Sequence, residues 1–312
     1  MILRRGDKGN DVKNLQYRLK KVLNRNIIVD GDFGSATESA VKLFQSLYGL
    51  QVDGIVGYYT DKKIKEVYAA MFQLNSNLLN LGERRFVVFV DAGHGGIDDS
   101  GKYVTPGKRA YHAGVQLHEG GHYYEGYENR LAAEAFIEAC AKEGIMCVRT
   151  YHPYKDTALS ERTEEVRSWL RRGYVGYLHS FHSNAISSSN TPAKLDATRG
   201  FMVFNTRGNN FSDEIATQHF NNARNAVGRG WNYRTQTKED GDVDFEVNFQ
   251  ILRETDVREF YWFGAILEEW GFHTSKTDAL FITNPRTRQA RVTAALNTAK
   301  WVKNRIESQL RD

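Results

Sequence analysis

The chain is poor in cysteine and has no long apolar run. Only Cys140 and Cys147 occur among its 312 residues. The first falls in a helical pattern and the second in an apolar run, so both read as buried. A disulfide framework and a cysteine nucleophile are therefore poor readings. No apolar stretch approaches the roughly 20 residues that span a bilayer, so no membrane insertion is expected. The opening Met1-Ile2-Leu3-Arg4-Arg5 places two arginines after Ile2 and Leu3. That leaves no apolar segment of signal-peptide type. The expectation is a protein made in the cytoplasm of its host cell that needs release by other means to act outside it.

The remaining composition is that of an ordinary globular chain, 41% hydrophobic and 26% charged, and its length suits two domains. The formal net charge is +4 and is unevenly placed. Residues 1–70 hold twelve Lys and Arg against eight Asp and Glu, which is the whole excess. A basic N-terminal piece suits an anionic partner such as a bacterial wall polymer or nucleic acid. A solvated helix face accounts for the same charge.

Residues 1–67 contain an internal repeat. Asp30-Gly31-Asp32-Phe33-Gly34-Ser35-Ala36-Thr37 and Asp53-Gly54-Ile55-Val56-Gly57-Tyr58-Tyr59-Thr60 share the pattern D-G-x-x-G-x-x-T. Each copy reads as a turn that feeds a helix. Val12, Leu15, Leu19, Val22 and Leu23 fall at helical spacing before the first copy. Ala40, Val41, Phe44 and Leu47 do so between the copies, and a third helix should start near Thr60. Three short helices joined by glycine turns form a small bundle. With Arg5-Gly6-Asp7, Phe44-Gln45 and Gly49-Leu50 added, the segment from Leu3 to Val67 resembles the three-helix peptidoglycan-binding domain carried by many wall hydrolases. Residues 68–84 read as a linker, partly helical.

From Phe86 the pattern becomes α/β, with a mixed, mostly parallel sheet flanked by helices expected over 85–312. Strands are predicted at Phe86–Val90, Ile145–Thr150, Tyr174–Phe181, Phe201–Phe204, Phe249–Arg253 and Ala265–Glu269. Helices are predicted at Asn129–Glu143, Leu159–Arg171, Ser212–Val227 and Arg286–Gln309. Chemistry in such sheets gathers beyond the carboxyl ends of the strands. His94 follows the first strand, His182 follows the third, and Glu269 closes the last. Two imidazoles and a carboxylate around one metal leave a fourth position for water, and a further glutamate can serve as general base.

Asp91-Ala92-Gly93-His94-Gly95-Gly96, Ser180-Phe181-His182-Ser183-Asn184-Ala185 and Glu269-x-Gly271-Phe272 resemble the motifs of the zinc-dependent N-acetylmuramoyl-L-alanine amidases. Leu159-Ser160-x-Arg162 also fits. The resemblance covers Arg85 to Asp312. It implies Zn2+ held by His94, His182 and a glutamate at the start of the helix after the first motif, with Glu269 catalytic. Glu125, Glu128 and, more remotely, Glu119 compete for the middle position. Glu125 is favoured because Asn129 lies four residues on and Ala133, Phe136 and Cys140 continue a buried stripe.

Other parts carry weaker expectations. The long loop 97–124 holds His112, His118 and His122, which read singly as surface residues; the loop itself reads as a lid or subsite insertion. Glu268 points to the opposite strand face from Glu269 and has no expected role. The segment Gly230–Glu246, with Trp231, Tyr233, Glu239, Asp240, Asp242 and Asp244, reads as a groove border or a solvent loop. The function implied is hydrolysis of the amide between N-acetylmuramic acid and L-alanine in peptidoglycan, by a monomer of the endolysin kind that does not bind nucleic acid. A wall-binding protein with an inactive hydrolase domain and a zinc peptidase acting within the stem peptide are the alternatives.

Overall fold

A computed structural model describes residues 2–23, 27–76, 85–208, 210–228, 230–236, 242–255 and 263–309. Three helices form the N-terminal bundle: α1 (Asn10–Val22), α2 (Ser35–Leu47) and α3 (Tyr58–Ser76). Its core joins Val12, Leu15, Leu19, Val41, Phe44 and Ile64, which helical spacing brings onto inward faces, with Phe33 and Val56 from the turns before α2 and α3. The helix α3 runs through the first part of the expected linker, and 77–84 lie outside the described residues.

The repeated turns are closed by one glutamine each. Gln16 Oε1 accepts from Gly31 N at 2.8 Å, while its Nε2 donates to Asp30 Oδ1, Asp32 O and Thr37 Oγ1. Gln45 repeats the set with Gly54 N, Asp53 Oδ1, Ile55 O and Thr60 Oγ1. Both glutamines are buried. The repeat is thus a buried amide satisfied by the turn that follows it, which explains why Asp, Gly and Thr recur at fixed offsets.

Residues 85–309 form a six-stranded sheet with helices on both faces. The strands are β1 (Arg85–Ala92), β4 (Cys147–Arg149), β5 (Tyr174–Asn184), β6 (Phe201–Asn205), β7 (Phe245–Glu246) and β8 (Phe263–Phe272), in the order β4-β1-β5-β8-β6-β7. Only the β6–β8 pairing is antiparallel. A separate hairpin, β2 (Arg109–Tyr111) with β3 (His122–Tyr124), lies within the 97–124 insertion. Helices α4 (Glu125–Lys142), α7 (Phe211–Val227) and α10 (Pro285–Gln309) cover one face over Val88, Val90, Tyr177, Phe181 and Ile266. Helices α5 (Leu159–Leu170) and α8 (Gln250–Arg253) cover the other over Val87, Phe89, Leu178 and Ala265. Short α6 (Pro192–Ala197) and α9 (Lys276–Thr283) complete the unit.

One expected strand is corrected. Phe249–Arg253 contains the helical turn α8, with Ile251 and Leu252 buried. An apolar run this short fits a buried strand or a buried helical turn equally well. Helix α4 also starts a turn earlier than its apolar pattern, at Glu125, because β3 delivers the chain there.

Replacing Gln45 with alanine strips the Gly54 N–H of its acceptor. The bundle should lose about 1–3 kcal/mol, read as a lower midpoint for its denaturant unfolding. An unchanged midpoint would show that this amide does not close the turn.

Candidate metal centre

His94, Glu125 and His182 converge at the carboxyl edge of the parallel strands. Their ligand atoms all lie within 4.8 Å of one another. His94 Nε2 is 3.3 Å from Glu125 Oε1, and His182 Nδ1 is 3.1 Å from the same oxygen. The imidazoles stand edge-on, with centroids 5.2 Å apart. Each element presents its residue for a local reason. His94 sits in the tight turn after β1 at φ 62°, the one non-glycine with positive φ among the described residues. Such backbone is strained and persists where its surroundings fix it. Gly93 has no side chain because a Cβ there would lie 2.0 Å from His182 Cε1. Glu125 opens α4 directly after the β3 hairpin strand.

The turn that holds His94 is fixed from beneath. Asp91 Oδ1 accepts from Arg162 Nη1 at 2.8 Å and from Thr150 Oγ1, and Oδ2 accepts from Ser180 Oγ at 2.5 Å. Arg162 also donates to Ala92 O, His94 O and Thr157 O. Burial opposes ionisation of Asp91, but Arg162 and Ser180 outweigh it and bring its pKa down to about 2. The sequence motifs contain both residues, yet nothing in their spacing shows that they form one buried pair.

Glu269 on β8 lies opposite His182 in register. Its Oε2 is buried without a hydrogen-bond partner. Burial, and then the charge of Glu125, push its carboxyl well above the usual range. Glu125 shows the reverse. Burial opposes its charge, yet hydrogen bonds from His182 and His94 hold it well below that range. Just beyond Glu269 the β5–β8 register slips between His182 and Asn184, a bulge at which Gly271 takes φ 81°. Bulges of this kind re-aim side chains beside functional sites.

Glu128 engages elsewhere, 3.1 Å from His118 Nε2 and 2.9 Å from Arg288 Nη2. The side chain of Glu119 lies outside the described residues. The surface reading of the insertion histidines is corrected. His112 is buried with Nε2 2.9 Å from His273 O, His118 stacks on Tyr124, and His122 is half-buried against Tyr124. Aromatic stacking inside a hairpin has no signature in residue spacing. His273, which the sequence reading passed over, is buried on Tyr123 with Nδ1 3.9 Å from Glu125 Oε2.

Glu268 is also corrected, since it is not idle. It is fully buried on the opposite face, 2.5 Å from Arg291 Nε, 2.7 Å from His219 Nε2 and 3.2 Å from His179 Nε2. Arg291 Nη2 in turn donates to His182 O at 3.0 Å. His179, His219 and Glu268 place three possible ligand atoms together, as do Asp213, Asp242 and Asp244. The first of these sets is sealed in the core and already neutralised by Arg291. The His94–Glu125–His182 set instead adjoins a cavity of about 360 Å3 lined by Gly93, His94, Asp156, Leu159, Arg162 and His182. Of the 230–246 segment, Tyr233 bridges to Phe201 and Trp231 stacks on Phe281, so these two rings are packed, while Asn232, Arg234 and Thr235 beside them are exposed. Glu239 and Asp240 lie outside the described residues.

The fold and site define an α/β domain with a His–carboxylate–His donor set at the edge of its sheet, the set that a catalytic zinc ion takes. A family model described as N-acetylmuramoyl-L-alanine amidase matches residues 88–300, and a peptidoglycan binding domain model matches 8–64. The chain belongs to the N-acetylmuramoyl-L-alanine amidase family, a family of enzymes, and carries a peptidoglycan-binding domain in front.

Among curated relatives, the zinc D-Ala-D-Ala carboxypeptidase of Streptomyces albus G is 42% identical over 67 residues, 21% of this chain and 26% of that protein. The spore cortex-lytic enzyme of Halalkalibacterium halodurans is 37% identical over 65 residues, 21% of this chain and 20% of that protein. The chain thus spans about a quarter or less of these relatives. Among solved structures, the N-acetylmuramoyl-L-alanine amidase of Clostridium difficile 630 has a TM-score of 0.51 at 21% identity, covering 70% of this chain and 97% of that one. The N-acetylmuramyl-L-alanine amidase of Mycobacterium smegmatis has a TM-score of 0.51 at 17% identity, with the same coverage of 70% and 97%. At these identities the likeness speaks for the fold.

Asp91→Asn should leave the buried Arg162 with only the half-exposed Asp156, 3.4 Å from its Nη2, as counter-charge, and cost up to about 3–5 kcal/mol of stability. Because folding depresses the Asp91 carboxyl, its contribution is complete above the ordinary carboxylate range and is lost as pH falls toward 2. The acid limb of unfolding should therefore be shallower in Asp91→Asn than in the parent. Identical acid limbs in pH-dependent melting would contradict the pairing.

Proposed function

We propose that this chain hydrolyses the amide between the lactyl group of N-acetylmuramic acid and the L-alanine of the stem peptide, with Zn2+ held by His94, Glu125 and His182. The observation that carries the reading is the open donor set beside the buried, unpartnered Oε2 of Glu269. When bound, zinc would polarise the scissile carbonyl and lower the pKa of water.

The chain's own residues do the rest. Glu125 and the two histidines fix the donor geometry, and Arg162 and Arg291 hold the backbone of His94 and His182 in place. Glu269 takes a proton from the attacking water and hands it to the leaving amine. Burial and the charge of Glu125 raise its carboxyl above the usual range, the direction that makes a carboxylate a stronger proton acceptor. The cavity lined by Leu159, Thr157 and Ile251 gives the substrate an apolar wall beside the donors.

The domain organisation proposed is a wall-binding bundle over 1–67, a linker over 68–84 and the catalytic unit over 85–312. The bundle keeps the enzyme on insoluble wall and so raises the local substrate concentration. The fusion of wall binding with amide hydrolysis supports an endolysin role: a monomer, made in a host cytoplasm, that acts on the wall after release and binds no nucleic acid. No helix among the described residues is long and apolar enough to cross a membrane.

Chelation should abolish release of intact stem peptides from purified peptidoglycan, and added zinc should restore it. Glu269→Ala should keep metal, by elemental analysis, while turnover falls on the order of 10²–10⁴-fold. Mass spectrometry of the digest should find free L-alanine amines. Cuts confined to the interior of the stem peptide would replace this reading with that of a zinc peptidase.

A further inference from the structure

A second cavity, of about 530 Å3, opens between α7, the chain entering β6 and the segment after α7. Three arginines line it: Arg199, Arg224 and Arg234. Its remaining wall includes Trp231, Tyr233 and Phe220, and no acidic side chain among the described residues lines it. Among the described residues none of the three arginines makes a salt bridge, although Asp196 and Asp278 act on Arg199 at longer range.

The arginines are held rather than loose. Arg199 is half-buried, and its Nε is fully covered without a hydrogen-bond partner. The Arg234 guanidinium lies 5.4 Å over the Phe272 ring, and its backbone N–H donates to Phe201 O. The Arg224 guanidinium lies 6.0 Å over the Tyr233 ring. The Trp231 ring is itself fixed by stacking on Phe281. Three guanidinium groups in one concavity, two of them set over aromatic rings and with no acid among its described walls, form a receptor for anionic oxygens.

Topology places this cavity on the same sheet edge as the donor set. The strand β6 runs antiparallel to β8, and Phe201 at its start pairs with Trp270, the neighbour of Glu269. Arg199 precedes that start by two residues, and Phe272 under Arg234 lies three residues past Glu269. Strand spacing and chain rise put the arginines roughly 10–15 Å from Glu269. An extended peptide covers that distance in about three to four residues. Resting on the amidase reading, the substrate carries a carboxylate at that reach, because an uncrosslinked stem peptide ends in one.

We propose that the Arg199–Arg224–Arg234 cavity binds the C-terminal carboxylate of the stem peptide. It makes the enzyme select free stem ends over ends that are capped or joined to a neighbouring strand. The charge that the composition places in the N-terminal bundle has no part in this selection.

The test is calorimetric titration of the full chain with a synthetic stem tetrapeptide and with its C-terminal carboxamide. The free acid should bind at least tenfold more tightly. Arg199→Gln/Arg234→Gln should bring the two peptides to equal affinity, and Arg234→Gln alone, at an exposed position, should narrow the gap if the double variant folds poorly. Equal binding of acid and amide by the parent chain would overturn the assignment, as would a preference undiminished in Arg234→Gln. Inorganic phosphate that displaces the peptide at equal concentration would also overturn it, by making the cavity a general anion site. This readout needs no hydrolysis, so product analysis on whole peptidoglycan reports separately on the amidase reading.

Discussion

Each histidine of the candidate centre has its own backbone carbonyl held by a buried arginine, and each arginine is locked by a buried carboxylate. Arg162 reaches His94 O while bound to Asp91, and Arg291 reaches His182 O while bound to Glu268. Buried ion pairs are expensive to desolvate and seldom add net stability. Their value here is positional. They hold two loops of differing origin, the strained turn after β1 and the bulged end of β5, so that the two imidazoles share one carboxylate oxygen. The two pairs lie on opposite faces of the sheet, so the centre is braced from both core layers.

The third donor is braced through its helix. Glu125 opens α4, and further along that helix Glu134 binds Arg149 bidentately and accepts from Tyr151 at 2.7 Å. The N-terminal bundle docks against this same helix. Ser46 Oγ and Tyr127 OH lie 2.9 Å apart, Lys63 pairs with Glu138, and the Tyr48 hydroxyl reaches Glu134. The helix that supplies Glu125 is therefore also the seat of the bundle.

Sequence reading reached the elements whose periodicity is long or whose turns repeat. The bundle was legible because a buried glutamine imposes Asp, Gly and Thr at fixed offsets. The parallel strands were legible as apolar runs, and the order of His94, His182 and Glu269 followed from strand ends. What stayed hidden depends on contacts between distant segments. Neither the Asp91–Arg162 pair, 71 residues apart in sequence, nor the grip of Arg291 on His182 has a local pattern. The stacked histidines of the 97–124 hairpin looked like surface residues because their partners are aromatic rings rather than spaced aliphatics. Phe249–Arg253 was misread because a single apolar turn has too little length to show a period.

Glu268 and Glu269 show how one step of chain separates two chemistries. Both are glutamates on one strand, and alternation sends them to opposite faces. Burial disfavours the charge of each. For Glu268 that penalty is outweighed by Arg291 and by hydrogen bonds from His179 and His219, which hold it ionised well below the usual range. For Glu269 the penalty is compounded by the charge of Glu125, and the more distant pull of Arg291 and Lys108 does not offset it, so its carboxyl moves well above that range. The first is fixed in one protonation state and can only brace. The second has its neutral form favoured beside the donor set. A neighbouring pair whose environments drive their acidities apart is the arrangement that assigns structural and proton-transfer roles within one site. Here the division follows from strand geometry and from which face Arg291 occupies.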